Sequence, residues 1–190
     1  MKLIIFGGSF DPPHLGHLKI IEKCCGECDK IILMPSAHSP LKKNPPFAES
    51  KHRLKLMEIL IQELNHPIQI DDWEINQTGP NYTYLTIQHI QNENPNSSIS
   101  LVVGADQLEQ FNKWKNYKEI LKAVHIIGFN RVNYHVPALE GINLTWIKDF
   151  KMDISSTEIR LQIAKGDPIC SELPQPVWNY IQDNNLYGYE

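Results

Sequence analysis

The sequence predicts an α/β fold: one parallel sheet with helices packed on both faces, in a single domain covering residues 1–190. Three observations predict it. Short apolar, β-rich runs recur along the chain with helical patterns between them, as strand–helix–strand crossovers require. The runs read as buried strands, which suits a sheet covered on both sides. A chain of 190 residues can close one core of this kind but is short for two.

The elements follow in order. Residues 2–6 form the first strand, and residues 14–25 read as a helix with apolar side chains at 15, 18, 21 and 25. Residues 30–34 are a second strand. Residues 51–64 are helical, with one apolar face at 54, 57, 60, 61 and 64. Residues 68–75 are extended, their alternation broken at Asp71-Asp72. A helix at 82–91, a strand at 100–103 and a long helix at 106–122 come next. Strands at 124–129 and 144–147 and helices at 156–165 and 174–184 complete the set. Two loops rich in proline or polar residues, 35–46 and 130–141, lie just after predicted strands. The whole reads as a Rossmann-like doubly wound sheet, in which ligands bind at the carboxyl ends of the strands near a topological switch point.

Composition removes several function classes. The net charge of −4 provides no footprint for non-specific nucleic-acid binding. No apolar run approaches the roughly 20 residues that span a bilayer, and the start of the chain lacks the apolar stretch of a secretory signal. A cytoplasmic protein with no nucleic-acid or membrane partner is expected. Cys25 and Cys28 have the spacing of a redox or zinc pair, but Cys24, Cys170 and the scattered histidines supply no second pair of ligands. They read as reduced thiols near a helix end, and no residue is assigned as a protein metal ligand.

The chemistry concentrates in residues 7–17, Gly7-Gly8-Ser9-Phe10-Asp11-Pro12-Pro13-His14-Leu15-Gly16-His17. Gly7-Gly8 ends a strand and lets backbone approach a ligand without a Cβ in the way. Pro12-Pro13 stiffens the entry to the helix. His14 and His17, three apart, share a face of its first turn. Gly16 costs the helix about 0.5–1 kcal/mol relative to alanine, which suggests close packing there. A helix N-terminus offers N–H donors and a positive dipole end to phosphate. Two imidazoles beside it can donate hydrogen bonds to phosphorus as charge develops. The segment is not a P-loop, because no Gly-Lys-Ser/Thr follows, and it lacks Gly-x-Gly-x-x-Gly spacing.

A second segment, Ile154-Ser155-Ser156-Thr157-Glu158-Ile159-Arg160, starts another helix. Ser155 with Glu158 fits a capping box. Its hydroxyls and N–H groups would make a second anion site, and Arg160 leans back toward the helix start. Two helix N-termini and an arginine could hold a triphosphate from both sides.

These segments resemble the HxGH nucleotidylyltransferase superfamily. Gly8, Phe10, Pro12, His14, Gly16 and His17 match its first motif, and Ser155, Ser156, Thr157 and Arg160 its second. Within it, the chain is similar over nearly its full length to the bacterial nicotinate-nucleotide adenylyltransferase family. The matches there are Pro80-Asn81-Tyr82-Thr83, Gly104-Ala105-Asp106 followed by Trp114, and the closing stretch from Leu173 to Tyr187. The resemblance implies attack by a mononucleotide 5′-phosphate on the α-phosphorus of ATP, giving nicotinate adenine dinucleotide and pyrophosphate, one step before NAD. It implies His14, His17 and Arg160 as catalytic residues. Gly7, Gly8, Ser9, Phe10, Gly16, Gly104, Asp106, Ser155, Ser156 and Thr157 would join them around ATP. Lys42, Thr83 and Trp114 would contact the mononucleotide, Trp114 by stacking on the pyridine ring. Mg2+ is expected to ride mainly on the ATP phosphates and water.

The chain also departs from the family. Leu41 replaces a usual histidine before Lys42, Arg131 stands alone where Arg-Pro-Gly is common, and Lys115 replaces a frequent tyrosine after Trp114. An ammonium there could favour a carboxylate on the pyridine ring. Three readings stay open: adenylyl transfer to nicotinate mononucleotide, the same chemistry on nicotinamide mononucleotide or another phosphate acceptor, and a non-catalytic nucleotide-binding protein of this fold. Oligomeric state is not encoded in any motif.

Overall fold

The computed structural model describes residues 1–40, 44–130, 141–150, 154–166 and 171–189. Strands β1 (Lys2–Gly8), β2 (Lys30–Pro35), β3 (Ile68–Ile70), β4 (Ser98–Gly104), β5 (His125–Phe129) and β6 (Leu144–Ile147) form one sheet. Their order is β3-β2-β1-β4-β5-β6, and every pairing is parallel. This is the doubly wound arrangement expected from the sequence. Among the described residues no helix is long and apolar enough to cross a membrane.

Successive residues of each strand feed opposite cores. Ile4 and Phe6 of β1 join Ile31 and Leu33 of β2 under α1 (Leu15–Cys25), α2 (Ser50–Ile61), α6 (Ser156–Ala164) and α7 (Gln175–Asp183). Leu3 and Ile5 join Ile32 and Met34 under α3 (Thr83–Glu93), α4 (Ala105–Leu108) and α5 (Tyr117–Ala123). Burial on both faces is why these runs lack alternation. Each strand side chain removed from water contributes on the order of 1.5–3 kcal/mol.

Four expectations need correction. The extended stretch 68–75 keeps only three residues of strand, because Asp71 Oδ1 accepts the Trp73 N–H at 3.0 Å and turns the chain at the predicted break. The helix expected over 106–122 is three pieces: α4, a 3-10 turn at Phe111–Lys113, and α5. Asn116, at φ 56°, takes the left-handed conformation that asparagine tolerates and interrupts the helix. The inner face of α2 is Arg53, Leu56, Met57 and Leu60, so an arginine stands where the apolar pattern had none. Finally, α6 starts where expected with Ser155 as N-cap, but no side-chain capping bond forms. Its neighbour Ser156 instead donates to the Pro12 carbonyl at 3.0 Å.

Cys24, Cys25 and Cys28 are free. Burial pushes Cys24 up to about 12 and Cys28 up to about 11, so neither is a reactive thiolate near neutral pH. Cys170 lies outside the described residues.

Candidate active site

The chain runs from β1 to β2 and β3 on one side and returns to β4, beside β1, before continuing outward. The gap above β1 and β4 is therefore the switch point. Gly7-Gly8 ends β1 and Gly104 ends β4, which brings two distant sequence segments to one cleft. A Cβ on Gly8 would meet the Phe10 ring at 3.2 Å, and one on Gly104 would meet Asp106 Oδ1 at 2.8 Å. Phe10 is buried at φ 48°, a strained conformation for a bulky residue. It lays its ring edge-on to His17, with centroids 5.0 Å apart.

His14 is the N-cap of α1 and His17 its third residue, and they cap the helix reciprocally. The Gly16 N–H donates to His14 Nδ1 at 3.1 Å, and the His14 N–H donates to His17 Nδ1 at 3.2 Å. A capping box normally uses a serine or threonine and a glutamate; here two imidazoles serve. A neutral imidazole that accepts at Nδ1 carries its hydrogen on Nε2. The cap therefore sets one tautomer in both rings and makes each Nε2–H a donor. The rings stack at 3.8 Å.

Gly16 now has a reason. A Cβ there would stand 2.9 Å from Nδ1 and Cε1 of His14. Alanine is worth roughly 0.5–1 kcal/mol more than glycine in a helix, yet Gly16→Ala is expected to lower Tm by several degrees and kcat at least about tenfold by displacing the ring. A fully active, more stable variant would refute the packing argument.

The two motifs meet. Besides Ser156 on Pro12, Arg160 Nη1 donates to the Asp11 carbonyl at 2.5 Å, and its Nη2 donates to Thr157 Oγ1 at 3.2 Å. The guanidinium lies 4.4 Å from the Phe47 ring centroid. Leu15 N–H donates to Glu172 O at 3.0 Å, closing α1 against the chain that leads into α7. Thus the starts of α1 and α6 converge on residues 11–14.

The residues expected to receive the mononucleotide lie on the other face. Thr83 is the first residue of α3. Trp114 stacks on Phe111, with centroids 4.7 Å apart, and its Nε1 is buried without a hydrogen-bond partner. Lys115 Nζ sits 4.5 Å from the Tyr82 ring centroid and 5.9 Å from that of Tyr84, so the ammonium is drawn to the start of α3. Lys42 and Arg131 lie outside the described residues.

A family model described as cytidylyltransferase-like matches residues 5–162. The chain is 35% identical over 188 residues to a probable nicotinate-nucleotide adenylyltransferase of Methylacidiphilum infernorum, covering 98% of this chain and 92% of that protein. It is 32% identical over 188 residues to the nicotinate-nucleotide adenylyltransferase of Bacillus subtilis, covering 98% of each. The chain belongs to the nicotinate-nucleotide adenylyltransferase family. The fold agrees: the solved structure of a Plasmodium falciparum nicotinic acid mononucleotide adenylyltransferase complexed with NaAD superposes with a TM-score of 0.85 at 20% identity, covering 100% of this chain and 98% of that one.

Seen as an adenylyltransferase, the chain holds three supporting residues to which the sequence reading gave no role, although Asp11 and Asn81 lie within its motifs. Asp11, buried, accepts from Phe47 N at 2.6 Å, Ala48 N at 3.1 Å and the Tyr187 hydroxyl at 2.9 Å. Arg53, also buried, donates to the carbonyls of Ser9 at 2.7 Å and Ser36 at 2.9 Å. Asn81 accepts from Ala37 N and His38 N and donates to Glu74 O. Only Arg53 left a sequence signal, a charge inside an amphipathic helix. The Asp11 bonds and the two that Asn81 accepts span 36 or more residues of chain, which no local pattern registers.

Proposed function

We propose that this chain transfers the adenylyl group of ATP to nicotinate mononucleotide, giving nicotinate adenine dinucleotide and pyrophosphate in NAD biosynthesis. The observation that carries the reading is the histidine cap at the switch point, joined by Ser156 and Arg160 to the same loop. It assembles imidazole and guanidinium donors where the α- and β-phosphates of a nucleotide would lie, and donors of this kind stabilise charge developing on phosphorus.

The attacking group is the mononucleotide's 5′-phosphate, ionised at neutral pH, so the enzyme needs no general base. Catalysis rests on positioning for in-line displacement and on charge stabilisation. His14 and His17 would donate through Nε2 to the phosphates, with Gly7, Gly8, Ser9, Phe10 and Gly16 shaping the approach. Ser155, Ser156, Thr157 and Arg160 would hold the triphosphate tail. Gly104 and Asp106 would line the nucleotide cleft, and Thr83, Trp114 and Lys42 would receive the mononucleotide. The cationic side chains would hold the phosphates, and Mg2+ would ride on phosphate oxygens and water rather than on protein ligands.

Lys115 favours the acid over the amide, since an ammonium near α3 attracts the extra carboxylate. Steady-state kinetics with ATP, Mg2+ and each mononucleotide tests this. We expect kcat/KM for nicotinate mononucleotide to exceed that for nicotinamide mononucleotide by at least about tenfold, or about 1.4 kcal/mol. A preference for the amide would sink the substrate assignment, and no pyrophosphate from either would sink the activity.

A further inference from the structure

We infer that Asp71, His89 and Glu93 form a binding site for a single late first-row divalent ion, Zn2+ foremost, on the side of the sheet away from the histidine cap. His89 Nε2 lies 3.5 Å from Asp71 Oδ2 and 3.6 Å from Glu93 Oε2. All three ligand atoms fall within 4.8 Å of one another. Those separations are too long for hydrogen bonds. An imidazolium clasped by carboxylates would draw them in to about 2.7–2.9 Å. Two ligands of one tetrahedral zinc, each about 2.1 Å from it, stand roughly 3.4 Å apart.

A second observation points the same way. His89 Nε2 is buried and has no hydrogen-bond partner, although buried polar atoms are almost always satisfied and an exception calls for a partner such as an ion. The surroundings hold the ligands in place. Asp71 Oδ1 is engaged by the Trp73 N–H, which leaves Oδ2 for the ion, and the Trp73 indole stacks on the His89 ring at 4.6 Å and 9°. Fixing ligand orientation through such neighbours is typical of metal sites.

One imidazole nitrogen and two carboxylate oxygens suit zinc and its late first-row neighbours, whereas Mg2+ and Ca2+ prefer oxygen alone. Glu93 ends α3 and is half exposed, which provides an entry path and room for water in the remaining positions. The ion would clip the exit of β3 to α3. That edge strand has only three residues, each partly exposed, so it gains most from an added tie. The site is independent of the adenylyl-transfer reading.

The test uses the full chain, stripped of metal, without nucleotide, near neutral pH. Calorimetric titration with ZnCl2 should show one equivalent bound, and excess Mg2+ should not displace it. At a free Zn2+ concentration about 100 times Kd, Tm should rise by roughly 5–10 °C. His89→Ala should abolish binding. Glu93→Gln, at an exposed position that keeps the fold, should weaken it at least about tenfold. Cys28→Ser should leave it unchanged, separating this site from the Cys28–His66 pair, whose Sγ and Nε2 are 3.6 Å apart. Absence of stoichiometric binding would overturn the proposal, as would binding that survives both His89→Ala and Glu93→Gln or is lost in Cys28→Ser.

Discussion

His17→Ala is expected to lower kcat by roughly 10²–10³ while the affinity for ATP changes much less. On the proposed reading, the first part follows from losing a donor whose hydrogen bond would strengthen as charge builds on the phosphates. Structure adds a second consequence. His17 Nδ1 also accepts the His14 N–H, so the alanine variant loses half of the helix cap, about 0.5–2 kcal/mol, and loosens His14. His17→Gln separates the two effects. Glutamine at the third helical position can accept from the capping residue's N–H as in an ordinary capping box, so Tm should return toward the native value. The rate should not return, because the amide does not reproduce the imidazole Nε2–H donor. Steady-state kinetics and thermal melts of both variants check this. An unchanged kcat in His17→Ala removes His17 from the chemistry, and a rate that recovers with Tm in His17→Gln makes its role structural.

Arg53→Met should produce the largest loss of stability. Methionine keeps much of the side-chain volume but none of the donors. The carbonyls of Ser9 and Ser36, at the exits of β1 and β2, would lose buried partners at 2.7 and 2.9 Å. An unsatisfied buried carbonyl costs about 1–3 kcal/mol, so the pair should cost roughly 2–4 kcal/mol and lower Tm by about 5–15 °C. Burial already lowers the arginine's pKa, an effect opposed by Asp11 and Tyr187. Ser9 opens the loop that carries Phe10 and His14, so a displaced Ser9 carbonyl should also reduce kcat at least about tenfold. Arg53→Lys should rescue neither quantity, because a single ammonium cannot reproduce the planar fork. A Tm within about 2 °C of the native value, together with full activity, would show that water replaces the guanidinium without cost.

The cap explains why a histidine–x–glycine–histidine run is read so directly from sequence. His14 needs a glycine at 16 because its ring occupies the space of the absent Cβ, at 2.9 Å, and it needs His17 because that ring accepts its own N–H. All these constraints lie within one helical turn, so they are imposed on neighbouring letters. Asp11 shows the opposite case. It lies inside the same segment, yet its partners are Phe47, Ala48 and Tyr187, and nothing near it in sequence marks it as a buried hub for three chain segments.

Local chemistry thus determined much of this protein: the buried strands, the crossover helices, the glycine turn, the paired histidines and the starts of α1 and α6. Each depends on interactions between residues a few positions apart. Tertiary structure alone decided the rest. It put Arg53 rather than an apolar residue at the inner face of α2 and diverted Ser156 from capping its own helix to holding Pro12. It also brought Asp71 against His89 and Glu93. For Arg53, Ser156 and Asp71 the deciding partner is a polar group from a distant segment, and the cost of leaving a buried polar group unsatisfied appears only once the chain has folded around it.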